Sequence, residues 1–253
     1  MEFEPEYAER YCAFVDILGF RQLVEGLSSN PSGFQALKKL LRKVHSPTAA
    51  GGGVTVLVQS ISDAVAISSP PTASGLLEIV LALQALALDL LHEGYFVRGA
   101  IVRGPLYHDE HMVFGEALIR AYDFETEVAR FPRIILTRAV YDDVIGFRAS
   151  TSVKFPEALF RLASDGATYV NVLEPLSAHL KRRATYFYKQ SEEDRLEYMR
   201  FLEMKDRVQQ RFEISVDNPK HFKKVRWFAR YWNAIIPTED QAFPRISGPG
   251  LGR

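Results

Sequence analysis

The chain has a single cysteine, Cys12, in 253 residues. That excludes an internal disulfide framework and any zinc site built on several cysteines, and it fits a reducing compartment. Neither charge is in excess: 31 Lys and Arg face 31 Asp and Glu. No overall field draws such a chain to nucleic acid or an anionic membrane, so a phosphate-bearing ligand must be held by local groups. The first residues are acidic, with Glu2, Glu4, Glu6 and Glu9, where a secretory leader would need a basic flank and an apolar run. The longest apolar stretch, residues 76–91, is interrupted by Glu78, Gln84 and Asp89 and reads as too short and too polar for a bilayer span. The expectation is a cytoplasmic protein with neither a membrane nor a nucleic-acid partner, large enough to bury a sizeable core.

What is present breaks this even background in two places. Tyr11-Cys12-Ala13-Phe14-Val15 is an apolar strand that ends on Asp16 and turns at once through Ile17, Leu18 and Gly19 to Phe20. Further on, Val56-Leu57-Val58-Gln59-Ser60-Ile61-Ser62-Asp63-Ala64-Val65-Ala66-Ile67 again sets one Asp inside an apolar β-type run. Alone, Asp16 reads as a helix cap and Asp63 as a turn residue, since both positions favour Asp. On neighbouring strands, the two make a site for a divalent metal. Magnesium and manganese take oxygen ligands, and one or two carboxylates plus substrate phosphates complete the shell. Ile17, Gly19 and Phe20, leading into a helix, offer backbone N–H groups to those phosphates.

Around these motifs, periodicity and turn signals predict helices over 21–27 and 33–44, a loop over 47–53, strands over 54–59 and 64–68, and a helix over 74–92. A strand over 95–102 is turned by Arg103-Gly104-Pro105, and residues 111–114 form a short return strand. Gly115 opens a helix over 116–129, followed by a strand at 134–136, a helix at 138–145 and late strands at 160–162 and 168–173. His108 and His111 fall in a surface loop. From residue 174 the chain becomes charged and periodic, predicting a helical pair over 175–211 and 219–236. Its basic clusters, Lys181-Arg182-Arg183 and residues 220–226, read as solvated or dimer-facing helix surface. The domains are therefore 1–173, a helical extension 174–243 and a flexible tail 244–253.

From residue 11 to about 173, the chain resembles the class III nucleotidyl cyclases. Phe14-Val15-Asp16-Ile17-Leu18-Gly19-Phe20 is similar to the family's first metal motif, and Gln59-Ser60-Ile61-Ser62-Asp63-Ala64 to its second. Val97-Arg98-Gly99-Ala100-Ile101-Val102-Arg103-Gly104-Pro105 is similar to the strand and turn beyond the second helix, and Phe114-Gly115-Glu116-Ala117-Leu118 to the start of the dimer-interface helix. Arg98-Gly99, Ala121-Tyr122, Glu125, Pro132-Arg133-Ile134 and Asp165-Gly166 look most like the bacterial pyrimidine cyclases of the Pycsar antiphage systems.

That resemblance implies an α/β (α+β) ferredoxin-like fold with a central, mostly antiparallel sheet. It also implies two divalent ions, Mn2+ or Mg2+, on Asp16 and Asp63, and a homodimer with active sites at the subunit interface. The implied reaction converts UTP to 3′,5′-cyclic UMP and pyrophosphate, a messenger for a separate effector protein in antiviral defence, with CTP to cyclic CMP as the alternative. The base-selecting position falls on Gln59, whose amide both donates and accepts and suits uracil and cytosine alike; the second base contact falls near Met112. The Asn and Arg of purine cyclases fall on Ile119 and Asp123. The cation facing the α-phosphorus must then come from Arg98, Arg103, Arg120 or Arg133. Arg98 and Arg120 are taken as catalytic, with Tyr122 orienting ribose or base. A cyclase-like module that binds a nucleotide without turnover is the alternative from another class.

Overall fold

The computed structural model describes residues 7–25, 56–61, 63–185, 191–237 and 243–251, together with positions 27, 35, 38 and 42. The apolar run from Tyr11 to Val15 forms strand β1 (Ala8–Ile17), and all five of these side chains are buried. Strands lie on both sides of β1. These are β3 (Ala64–Ser69) and β4 (Val97–His108), each antiparallel to β1. With α1 (Phe20–Glu25), β2 (Leu57–Ile61) and α2 (Ala73–His92), the order is βαββαβ and the strand sequence in space is β2-β3-β1-β4. This is a ferredoxin-like unit. The sheet continues through β6 (Ile134–Leu136), parallel to β4, and then through β8 (Thr168–Val170) and β7 (Phe160–Leu162), while β5 (Val113–Phe114) pairs with the far end of β4. The fold is thus α/β with a mostly antiparallel central sheet. The predicted helix over 33–44, apart from positions 35, 38 and 42, and the loop over 47–53 lie outside the described residues.

Side chains alternate along β1. Cys12 and Phe14 pack with Val102, Leu106 and with Ala117 and Ala121 of α3 (Glu116–Asp123), whereas the Tyr11 hydroxyl donates to Asp143 of α4 (Arg138–Ser150) at 2.9 Å. The helix α3 passes directly into a π-helical turn, Phe124–Val128.

Several expectations are corrected. Arg103-Gly104-Pro105 does not turn the chain: β4 runs on to His108, paired with β1 through Ala8. Among the described residues, only the β1 side of β4 is laddered at residues 103–106, so Pro105 is tolerated as it is on an edge strand. His108 is consequently buried rather than on a loop; its Nδ1 meets Ser68 Oγ at 2.8 Å, and burial followed by the Arg10 charge pulls its pKa down to about 4. The helix α2 is, at 20 residues, long and apolar enough by length and composition to cross a membrane, contrary to the reading of residues 76–91. Its apolar residues Leu76, Ile79, Val80 and Leu83 are fully buried in the protein core.

The chain divides into two compact units, one of Met1–Ala87 with Phe96–Asn171, the other of Leu88–Tyr95 with Val172–Arg253. In the second, three helices replace the expected pair: α5 (Glu174–Thr185), α6 (Glu192–Ser215) and α7 (Pro219–Ile235). A reciprocal capping box between Ser191 and Asp194 starts α6. The core of this unit stacks Phe201 on Trp232 with ring centroids 5.4 Å apart. Residues 243–251 are not a free tail. Phe243 and Ile246 are buried, and Asn233 bonds the Ile246 backbone through both amide atoms at 2.8 Å, because these apolar side chains complete the helical core.

Candidate active site

Register places the site. Ala64, Asp16 and Arg98 lie directly opposite one another across β3, β1 and β4, and residues opposite each other in antiparallel pairs share a face. Asp63 immediately precedes Ala64 at the β2–β3 turn, so it arrives at the same end of the sheet. The two carboxyl groups come within hydrogen-bonding reach of each other. Acids far apart in sequence are brought together by a single antiparallel pairing, β1 with β3.

The setting is hostile to charge on Asp16. Its pKa is pushed up to about 7, first by burial, then by the hydrogen bond and charge of Asp63 and by the charge of Glu125, with Arg98 acting in the opposite sense. Arg98 Nη2 is 3.7 Å from Asp16 Oδ2, and its Nε is paired with Glu125 Oε1. Glu125 is only 3% exposed. It reaches inward from the π-helical turn, a local widening often found at functional sites, and Thr126 Oγ1 donates to its other oxygen at 3.0 Å. Beside Arg98, a Cβ on Gly99 would stand 2.6 Å from the Phe14 carbonyl oxygen, so only glycine allows β1 and β4 to approach this closely.

Of the other predicted residues, Gln59 lies opposite Ala66, which lies opposite Phe14. It therefore shares the face of Asp16, about 7 Å further along the sheet at ~3.4 Å per residue. Gly19 turns the chain with φ +86°, Leu18 N–H donates to the Phe96 carbonyl at 2.9 Å, and Phe20 opens α1. Ile17 closes the β1 ladder opposite Val97 with its side chain buried, leaving it a backbone role at most. Tyr122 is exposed on α3 with its ring edge-on to Phe14, centroids 5.5 Å apart. Arg120 is also exposed and donates to the Arg103 carbonyl at 3.2 Å. Met112 and Ile119 project to the surface at 51% and 63% exposure, and Asp123 is exposed as well.

Two candidate cations are elsewhere. Arg103 lies opposite Tyr11, on the other face of the sheet, and binds both Asp143 oxygens at 2.8 and 2.9 Å. Arg133 is committed to Asp165 by a two-point fork at 2.9 and 2.6 Å. Conversely, Glu125, predicted to share one helix with Arg120 and Tyr122, is the buried partner of Arg98. Its helical spacing from Tyr122 concealed it, because the π turn carries it round to the sheet.

Among the described residues no group of three or more His, Cys, Asp or Glu forms a complete metal cage. Two adjoining carboxylates without His or Cys suit a hard divalent cation that keeps waters and takes further oxygens from a substrate.

No protein-family model and no curated protein matches the chain. Among solved structures, it is similar to a bacterial light-regulated adenylyl cyclase, with TM-score 0.46 and 15% identity over 80% of this chain and 59% of that one. It thus spans less than two thirds of that protein's length. It is also similar to an adenylate/guanylate cyclase/hydrolase from Silicibacter pomeroyi, with TM-score 0.39 and 18% identity over 64% of this chain and 95% of that one. A third is the catalytic core of a rhodopsin-guanylyl cyclase with converted specificity in complex with ATPαS, with TM-score 0.41 and 18% identity over 64% of this chain and 94% of that one.

Proposed function

We propose that this chain is a metal-dependent nucleotidyl cyclase of the class III type that converts UTP to 3′,5′-cyclic UMP and pyrophosphate. The observation that carries the reading is the meeting of Asp16 and Asp63, each at the end of an apolar strand, in a setting where burial and the neighbouring acids disfavour charge on Asp16. A strongly perturbed carboxylate such as that of Asp16 is a functional-site candidate. Manganese or magnesium bound by the pair would offset triphosphate charge as pyrophosphate leaves.

The chain's own residues supply position. Cyclisation requires the ribose 3′-hydroxyl to lose a proton and attack the α-phosphorus in line, so the enzyme's work is chiefly alignment and charge stabilisation. Arg98, gripped by Glu125, holds the Asp16 carboxylate in place. The Gly19 turn and the start of α1 present backbone N–H groups to phosphate. Gln59 reads the base edge, which admits CTP as the alternative substrate. Arg120 and Tyr122 stand exposed on α3, where a second copy of the chain would receive them; a homodimer whose sites are completed across the interface follows from that reading. An antiphage role with a separate messenger-activated effector rests on the family resemblance.

One observation favours a second reading, a nucleotide-binding module without turnover. Ile119 and Asp123 replace the Asn and Arg of purine cyclases, and Arg120, between them in sequence, donates to the Arg103 carbonyl. Incubating the chain with each of the four nucleoside triphosphates and manganese, then identifying products by chromatography and mass, separates the readings. Cyclic UMP from UTP, absent with Asp63→Ala, supports the proposal. Nucleotide binding without product supports the module, and a product from ATP or GTP alone points to a purine cyclase.

A further inference from the structure

A cavity of about 400 Å³ opens in the first unit, between the end of β6, the start of α4 and the β7–β8 hairpin. That volume is in the range of small-ligand sites. At one side stands the amino end of α4, a 13-residue helix, whose first-turn N–H groups and dipole favour an anion. A Thr at the cap position ordinarily closes such an end by accepting from the first turn. Thr137 occupies that position and makes no such bond. It is 5% exposed, lines the cavity, and its hydroxyl oxygen has no partner among the described residues. A buried hydroxyl left unpaired is costly, so this one is explained by an occupant that bonds it.

The lining charge has the matching sign. Arg138, Arg148 and Arg161 line the cavity against one acid, Glu157. Arg148 is held by the carbonyls of Phe155 and Pro156, Arg138 Nε by Asp142 at 2.8 Å, and Arg161 by the Tyr169 hydroxyl. These contacts hold the guanidinium groups, and the five-donor fork of Arg138 has further N–H groups to offer. Phe124, Tyr141 and Phe160 complete the wall with flat apolar surfaces.

We propose that this cavity binds a small phosphate monoester with a flat aromatic body, its phosphate set at the amino end of α4 against Thr137 Oγ1 and its ring among Phe124, Tyr141 and Phe160. A phosphate, with three terminal oxygens, matches helix N–H groups, hydroxyl and guanidinium converging from different directions better than a carboxylate does. None of these residues belongs to the Asp16–Asp63 site.

The test is calorimetric titration of the full chain with phenyl phosphate in the presence of EDTA, which keeps metal from recruiting phosphate to the carboxylates. Phenyl phosphate should bind more tightly than inorganic phosphate or phenol. Thr137→Val, which keeps shape and removes the hydroxyl, should weaken it about tenfold, the loss of one hydrogen bond to a charged group. Arg161→Gln gives an independent reading should the first variant fold poorly, and should also weaken binding; Asp63→Asn should leave it unchanged. Absence of binding to the parent chain overturns the proposal, as does binding that survives both cavity substitutions or is removed by Asp63→Asn.

Discussion

Asp16 lies on β1 and Asp165 in the turn between β7 and β8, and their charges meet opposite settings. Asp165 faces the fully enclosed guanidinium of Arg133, and that two-point hydrogen bond holds its carboxyl below the usual carboxylate range. Asp16 faces two further acids and shares one arginine with Glu125, and it is pushed up to about 7. The first acid is satisfied by the protein itself. The second, among the described residues, shares its one nearby cation with another acid, and the proposed metal site rests on this asymmetry.

The comparison can be broken at either end, and the largest effect is expected at the unsatisfied one. Asp16→Asn or Asp63→Asn should lower the proposed cyclase turnover by roughly a thousandfold, the several kcal/mol that metal-held charge stabilisation would supply, while the variant stays folded by circular dichroism. At the satisfied end, Asp165→Ala removes the two-point acceptor of a buried guanidinium and should cost about 2 kcal/mol of stability, read from the urea midpoint. Activity should follow only through the folded fraction.

A smaller effect sharpens the contrast through pH. The folded-state pKa of Asp16 lies above its unfolded value, so the folded metal-free chain binds the proton more tightly. Its contribution to stability is present below pH ~4 and lost as pH rises towards about 7. Asp16→Asn should flatten that decline in a urea series, leaving the variant more stable than the parent at pH 8 without metal. On the proposed function, an acid that destabilises the fold in this way is the usual trade of stability for activity. Smallest of all, Tyr122→Phe should lower kcat/KM about fivefold, one hydrogen bond of ~1 kcal/mol, with an unchanged midpoint because the side chain is exposed.

How far these regions were legible follows from what each residue signals locally. Asp16 and Asp63 stood out because an isolated acid in an apolar run has few structural uses, and the β1 and β3 strands were visible for the same reason. Their convergence depends on register between distant strands, which no local pattern reports. Pro105 spoke for a turn, and only the missing neighbour on one side of β4 made it tolerable in a strand. Glu125 was hidden by the change of helical period at Phe124–Val128. In the second unit, Ser191 and Asp194 carried a helix-start signature inside a run that charge periodicity made look continuous, and Ile246 was obscured by surrounding glycine and proline.

The most direct measurement is manganese binding by electron paramagnetic resonance at pH 8 in the presence of UTP, for the parent chain, the two Asn variants and the double variant. Joint ligation by Asp16 and Asp63 predicts that either single substitution weakens binding tenfold or more and that the second adds little. Manganese affinity that is unchanged in both single variants would contradict it.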